Sequence, residues 1–392
     1  MKINFKNTRE MISQHMLADG MSPVIDLEKS HGSWLVDGNT GREYLDLFSM
    51  FSSLPLGYNH LIFDESFDQK IKPIAHLRMC NNLFNSRELE SFKKKFLEVS
   101  FHNNLHFCST GALAVEAAIK CGFEFKKKPD SIVLGLKNSF HGINSWGFMT
   151  DTEISSVKNR VIHYPRNNWT LHSLDELIEK LENHPVNVSS VIIEPIQCTS
   201  GDIYLDIIKL KRIQELCNIN EICFIVDEIQ TGFGVTGEMW YSSTIGLNPD
   251  IIIFGKKSQI SGIMTNDKYS EAINSQYRKL EVTWDGDLID AIRSEFILKA
   301  IKKYALLENV NEKSDILRNE LSSKFDNYRS TGHLIAFDFK NKAKRDDFVN
   351  QALSNLLLVN PTSEKSIRLR PNLAFSNNEL DVLLEKINKI RK

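Results

Sequence analysis

The chain alternates short apolar runs with longer stretches in which apolar positions recur every three or four residues. The clearest runs are "SIVLGL" (131–136), "VSSVIIEPIQ" (188–197), "EICFIVDEIQTG" (221–232) and "PDIIIFGKK" (249–257). Continuous β-branched runs of this length predict strands buried on both faces, as in a parallel sheet covered by helices. Between them, "GALAVEAAIKCGFEFKK" (111–127) and "DIIKLKRIQELC" (206–217) carry a helical period, and "SLDELIEKLEN" opens with Ser173 and Glu176 at capping-box spacing.

From about residue 105 this alternation predicts an α/β fold with helices packed on a mostly parallel sheet. After about residue 286 the pattern changes to long amphipathic helices, as in "LIDAIRSEFILKAIKKYALL", and short strands, "HLIAFDF" and "SIRLRP". A smaller α+β lobe is expected there. Near the start, "SHGSWLVDGNTGREYLDLFS" reads as two short strands around a turn at Asp37, Gly38 and Asn39. The expected organisation is an N-terminal segment (1–55) joining the small lobe, a large domain (56–285) and a C-terminal small domain (286–392). No internal repeat or Pro/Gly/Ser-rich linker divides the pattern.

Charge narrows the partners. With 392 residues and a formal net charge of −2, the chain carries no long basic stripe. "EFKKKPD" (124–130) and the terminal "KINKIRK" read as solvated helix ends, so neither nucleic acid nor an anionic membrane is an expected partner. The six cysteines (Cys80, Cys108, Cys121, Cys198, Cys217 and Cys223) form no CxxC pair and no Cys/His cluster at metal-ligand spacing. Reduced thiols and no metal are expected. The first residues lack the apolar core of a signal peptide and no run is long enough to span a bilayer, so the cytoplasm is the expected location.

In open α/β sheets ligands gather at the carboxyl ends of the strands. Three reactive features fall there: Asp227 closing "ICFIVD", Lys256 following "IIIF", and Ser109, Thr110, Gly111 and Ala112 just before a helix. Each has an ordinary reading: an N-cap, a loop lysine, a βα connection. A helix N-terminus nevertheless offers free N–H groups and a favourable dipole to a phosphate. Together, a phosphate anchor, a carboxylate able to keep a ring nitrogen protonated and an amine able to form a Schiff base are the parts needed to use pyridoxal phosphate as an electron sink. Phe140, in "FHG" with His141 and Gly142, adds an aromatic able to stack on the cofactor ring. No GxGxxG follows any early strand, so a nicotinamide-dependent dehydrogenase on a similar sheet finds no support.

"VDEIQTGFGVTG" followed by "PDIIIFGKK" resembles the signature of the class III pyridoxal-phosphate aminotransferases of fold type I, and "SFHG", "IIEPIQ", "TWDGD" and "IRLRP" follow in that family's order. "TGALAVE" and "FGKKSQISGIM" resemble its L-lysine 6-aminotransferase branch. The resemblance implies that Lys256 holds pyridoxal 5'-phosphate, that Asp227 pairs with the pyridine nitrogen, and that Gln230 bonds near the ring hydroxyl. It implies further that Phe140 and His141 flank the ring and that Thr110, Gly111 and Ala112 bind the phosphate. Thr283 matches a residue that reaches the phosphate of a neighbouring subunit, which implies a homodimer with shared sites. Arg368 matches the arginine that grips the α-carboxylate of glutamate or 2-oxoglutarate. Lys257 is a companion of Lys256 with no implied role.

Three positions depart from the pattern. Ile143 stands where the lysine-specific branch carries an arginine for the donor's α-carboxylate. Thr199 stands where a glutamate usually shields the acceptor-binding arginine, so Arg368 is expected to stay open in both half-reactions. Asp285 and Asp287 replace a glycine and an asparagine around Thr283, and two carboxylates near a phosphate would repel it unless turned away or paired. The expected reaction moves the terminal amino group of L-lysine, or of a related ω-amino compound, to 2-oxoglutarate. The alternatives are a larger or less charged amino donor in a specialised biosynthetic pathway, and a cofactor-binding homologue without turnover.

Overall fold

The computed structural model describes residues 8–18, 21–79, 84–128, 130–144, 150–151, 153–154, 169–183 and 187–390. Near the start, β1 (Trp34–Val36) and β2 (Glu43–Asp46) form the expected hairpin, with Trp34 opposite Leu45. Its turn is held by the Asp37 carboxylate, which accepts from the N–H groups of Val24 and Asn39 and from the Thr40 hydroxyl. An acid that accepts from its own turn is what the Asp-Gly-Asn run predicts.

The central sheet follows: β3 (Asn104–Cys108), β4 (Ile132–Leu136), β5 (Trp169–His172), β6 (Val188–Ile193), the small hairpin β7 (Ile196–Gln197) and β8 (Ile203–Tyr204), β9 (Cys223–Asp227), β10 (Ile251–Phe254) and β11 (Ser261–Thr265). Seven of these strands pair in the order β3-β11-β10-β9-β6-β4-β5. Every neighbouring pair is parallel except the two made by β11, so the mostly parallel α/β reading holds. Period 2 explains why β9 and β10 read as unbroken apolar runs. Ile251 and Ile253 face one side, against Ala114, Val115 and Ala118 of the helix Gly111–Lys126; Ile252 and Phe254 face the other, with Leu210 and Ile213 of the helix Ile207–Ile219. The first of these helices lies so close that a Cβ at Gly122 would stand 1.9 Å from Ser190 Oγ. The helix Leu174–Glu182 starts in the capping box expected of Ser173 and Glu176.

The helix Leu288–Lys303 differs from its amphipathic expectation. It is buried around most of its circumference, because it packs against the helices Glu65–Ile71, Arg87–Leu97 and Leu306–Leu321. Ile292, Phe296 and Ile297 share an apolar cluster with Phe92 and Phe96. Its buried Glu295 is met by lysines from two of those neighbours and its own next turn, Lys70 and Lys95 at 3.1 Å and Lys299 at 3.4 Å.

A second sheet, β12 (Asp326–Thr331), β13 (Leu334–Asp338), β15 (Asn360–Thr362) and β16 (Ser366–Leu369), has the order β12-β13-β16-β15 and is antiparallel throughout. Between them in sequence, β14 (Leu357–Leu358) runs parallel to β2, so Leu45 and Leu47 enter the same core as Phe337, Ile367 and Leu383. After β2 the chain makes one left-handed turn. Ser49, Met50, Phe51 and Ser52 have φ of +47°, +47°, +58° and +67°. Such a turn costs roughly 1–2 kcal/mol per non-glycine residue. The Asp46 carboxylate, accepting from the N–H groups of Phe48 and Ser49, and Ser49 Oγ, donating to the Arg370 carbonyl, hold it. Met50 is 46 % exposed, so its side chain adds little packing here. Met50→Gly is expected to raise the urea or thermal midpoint, by about 1 kcal/mol of stability; an unchanged or lower midpoint contradicts the strain.

Candidate active site

Five parallel strands end at one edge of the central sheet, and each delivers a polar group there. β9 ends in Asp227 and β10 runs through Gly255 into Lys256. Glu194 follows β6, Phe140 and His141 follow β4, and Thr110 follows β3. Pairing Ile253 with Asp227 sets Lys256 one short step beyond the acid. The sequence-predicted groups are thus gathered by the fold rather than scattered.

Asp227 is buried and doubly fixed. Its Oδ1 accepts from the N–H of Ile229 at 3.1 Å, and its Oδ2 lies 2.8 Å from His141 Nδ1. Lys256 is half-buried with a left-handed backbone, φ +55°. Burial of its amine, only partly offset by Asp227, pulls it down to about 8, toward the neutral nucleophilic form. Glu194, quoted in the "IIEPIQ" run but given no role there, is the residue sequence reasoning missed. It is 3 % exposed, and its Oε1 accepts from the Phe140 N–H at 2.7 Å. Burial raises its carboxyl to about 7, against the pull of His141. The signal for it was its place after a buried strand, the same that marked Asp227.

The residues fit a phosphorylated, polar ring. Thr110 caps the helix Gly111–Lys126, its hydroxyl accepting from the Leu113 N–H, so the first turn leaves the N–H groups of Gly111 and Ala112 without intrahelical partners. Gly111 is tight: a Cβ there would stand 2.8 Å from Ile229 Cδ1. Ala112 lies beside Gly142, which ties this turn to the loop carrying Phe140 and His141. Gln230 Oε1 and Arg368 Nε are both sealed from solvent with no hydrogen-bond partner. One is an acceptor waiting for a hydroxyl and the other a donor waiting for an anion.

Arg368, on β16, is 5 % exposed; its Nη1 donates to the Cys198 carbonyl at 2.7 Å, and an Asn360 amide oxygen turned toward it accepts from Nη2 at 3.0 Å. Burial, with Arg370 nearby, lowers it to about 10. No carboxylate forms an ion pair with it among the described residues. Thr199 offers it none, and its carbonyl accepts from Thr362 Oγ1 at 2.6 Å. Ile143 is half-buried and packs with Phe140 against Ile154.

Thr283 is exposed, and the neighbouring Trp284 carbonyl accepts from Ser109 Oγ of the same chain. The two acids beside it are occupied. Asp287 caps the helix Leu288–Lys303 and lies 3.4 Å from Arg78 Nε, while Asp285 accepts from the Val282 N–H at 2.7 Å and sits 4.0 Å from His106 Nε2. Among the described residues no group of His, Cys, Asp or Glu could hold a metal, and no helix is long and apolar enough to cross a membrane. The five described cysteines are buried and free; Cys80 lies outside the described residues.

The family model described as Aminotransferase class-III matches residues 16–390. The L-lysine-epsilon aminotransferases of Amycolatopsis lactamdurans and Streptomyces clavuligerus are each 30% identical, covering 97% and 98% of this chain and 95% and 94% of their own lengths. A solved lysine aminotransferase from M. tuberculosis, described as the internal aldimine form, superposes with a TM-score of 0.89 at 27% identity, covering 98% of both chains.

The Glu194 carboxyl yields a pH test. Its folded pKa is raised, so the folded state holds the proton more tightly, and the stability this gives is full below about 4.5 and lost as pH rises through about 7. The span corresponds to a loss on the order of 3 kcal/mol. Glu194→Gln keeps an acceptor for Phe140 and is expected to flatten the fall in stability between pH 4.5 and 7.5; urea unfolding across that range reads it, and parallel curves for the two proteins refute it.

Proposed function

The chain belongs to the aminotransferase class-III family and is a pyridoxal-phosphate-dependent transaminase; on that premise we propose that it moves the terminal amino group of L-lysine, or of a related ω-amino compound, to 2-oxoglutarate. The observation that carries this is the convergence of Lys256 and Asp227 at the ends of adjacent strands, with Arg368 held nearby without a carboxylate partner. The donor class follows the L-lysine-epsilon aminotransferases that the chain is similar to over nearly its full length. When bound, pyridoxal phosphate supplies an electron sink for the electrons released at the amino carbon.

The chain's own residues do the rest. Lys256 Nζ, poised near neutrality, would hold the cofactor and move a proton to and from the amino carbon. Asp227, steadied by His141 and the Ile229 N–H, would face the ring nitrogen as an acceptor. Gln230 Oε1 would accept from the ring hydroxyl, Phe140 would lie on the ring, and Thr110, Gly111 and Ala112 would hold the phosphate. Arg368 would grip the carboxylate of the acceptor through its fork.

A second reading takes a larger or less charged donor, and Ile143 favours it. That side chain, packed with Phe140 and Ile154, gives the donor side an apolar wall and cannot pair with an α-carboxylate. Separate apolar cores support a division into 1–55 with the small lobe, 56–285 and 286–392, since Leu45 and Leu47 pack with Phe337 and Ile367, while the helix Leu288–Lys303 packs into the core of the large domain. A homodimer is supported as well: Val282 and Trp284 flank Thr283, and with Phe51, Phe84 and Tyr277 they leave large apolar surface open on a single chain.

Purified protein is expected to carry the visible absorption of bound cofactor and Lys256→Ala to lose it together with all turnover; a retained band in the variant sinks the assignment of the lysine. In an amino-donor screen with 2-oxoglutarate as acceptor, lysine should yield glutamate. A larger amine yielding it in place of lysine establishes the second reading, and no glutamate from any donor in a yellow protein points to a homologue without turnover. Light scattering should give twice the chain mass, and a monomer holding cofactor at full activity rules out shared sites.

A further inference from the structure

Lys256 and Lys257 are adjacent in sequence and part in the fold. The left-handed backbone of Lys256 sends its amine among Asp227, Arg368 and Glu194. Lys257 goes inward, 2 % exposed, and its Nζ donates to the main-chain carbonyl of Gln230 at 2.8 Å. The charged groups around it are Lys256, Arg370 and Glu228, but Arg370 is taken by Asp202 and both oxygens of Glu228 accept from the N–H groups of Tyr241 and Ser242. Burial beside Lys256 holds the Lys257 amine far below the usual lysine range. That burial disfavours a second cation next to Lys256.

For folding alone this is a poor choice. A buried amine with one acceptor is less favourable than an apolar chain of the same length, such as methionine. What the amine does is join two loops. One is the tight turn Lys256–Ser258 after β10; the other is the stretch from Asp227 to Gln230 after β9. Gln230 Oε1 is sealed with no partner of its own, and the main chain that carries it is the one that accepts from Lys257.

We infer that Lys257 is a positioning residue for the cofactor: its amine pins the Gln230 main chain so that the Gln230 side-chain carbonyl stays ready to accept from the ring hydroxyl of pyridoxal phosphate. The inference rests on the reading in which Lys256 and Gln230 face that cofactor. It extends the reading to a residue that touches neither cofactor nor substrate.

The test compares wild type, Lys257→Met and Lys257→Gln, each stripped of cofactor and reconstituted with pyridoxal phosphate. Two quantities are read: the Kd of the cofactor and the thermal midpoint of the apo protein. Lys257→Met should keep or raise the apo midpoint while its Kd rises about five- to tenfold, the loss of one buried hydrogen bond. Lys257→Gln, which retains an N–H donor, should fall between. A Kd within twofold of wild type in both variants overturns the inference. So does an apo midpoint that drops in step with affinity, or a Lys257→Met chain that does not fold, since the lysine is then structural. A wild-type protein that binds no cofactor overturns the reading of the site instead, before either variant is compared.

Discussion

Burial of the central sheet on both faces is the constraint on which the site depends. Parallel strands with helices on each side must be apolar along their whole length, so polar groups enter only where the strands stop. Because β3, β4, β6, β9 and β10 run in one direction, those stops lie along one edge. Thr110, His141, Glu194, Asp227 and Lys256 are therefore neighbours through topology and far apart in sequence. Moving one strand end by a residue would turn its polar group from the edge into the apolar layer, which makes the register of β9 against β10 a functional quantity.

Burial at that edge sets its charge. Lys256 at about 8 and Glu194 at about 7 both move toward their neutral forms because burial outweighs their neighbours. Asp227 accepts from the Ile229 N–H at 3.1 Å and lies 2.8 Å from His141 Nδ1. A base and an acid within one pocket thus both lose charge to the same burial. The loops after β4, β6 and β9 set what each carboxylate meets: the Phe140 N–H for Glu194, the Ile229 N–H and the His141 ring for Asp227.

Much of this was legible in the chain. Strands such as β9 and β10, the helix Gly111–Lys126 and the Ser173 capping box carry their signals within a few residues, because periodicity and caps are local. What escaped depended on partners across the fold. The helix Leu288–Lys303 looked amphipathic since Glu295 is a charge, and only Lys70 and Lys95 from two other helices make that charge tolerable inside. Glu194 looked like part of a strand because its partner, the Phe140 N–H, lies 54 positions away. Lys257 stayed without a role for the same reason, its acceptor being a carbonyl on another loop.

The two arginines of "SIRLRP" carry the argument about substrate. Two residues apart on and after β16, they leave the strand toward the same face. Arg370 meets Asp202 at 2.5 Å in a fully buried pair, and its charge is spent within the fold. Arg368 meets neutral carbonyls alone and keeps Nε sealed without a partner. A guanidinium taken out of water without an opposite charge is costly, and a bidentate carboxylate is the partner that relieves it. With threonine at 199 and the one acid of the β7–β8 turn, Asp202, paired to Arg370, no carboxylate of that turn forms an ion pair with Arg368. A carboxylate brought to Arg368 would therefore displace no ion-paired acid, while a neutral group there would leave the cation with its two amide oxygens. Arg368 thus presents a charge without an ion pair, whereas Ile143, packed with Phe140 against Ile154, presents an apolar side chain that pairs with no carboxylate.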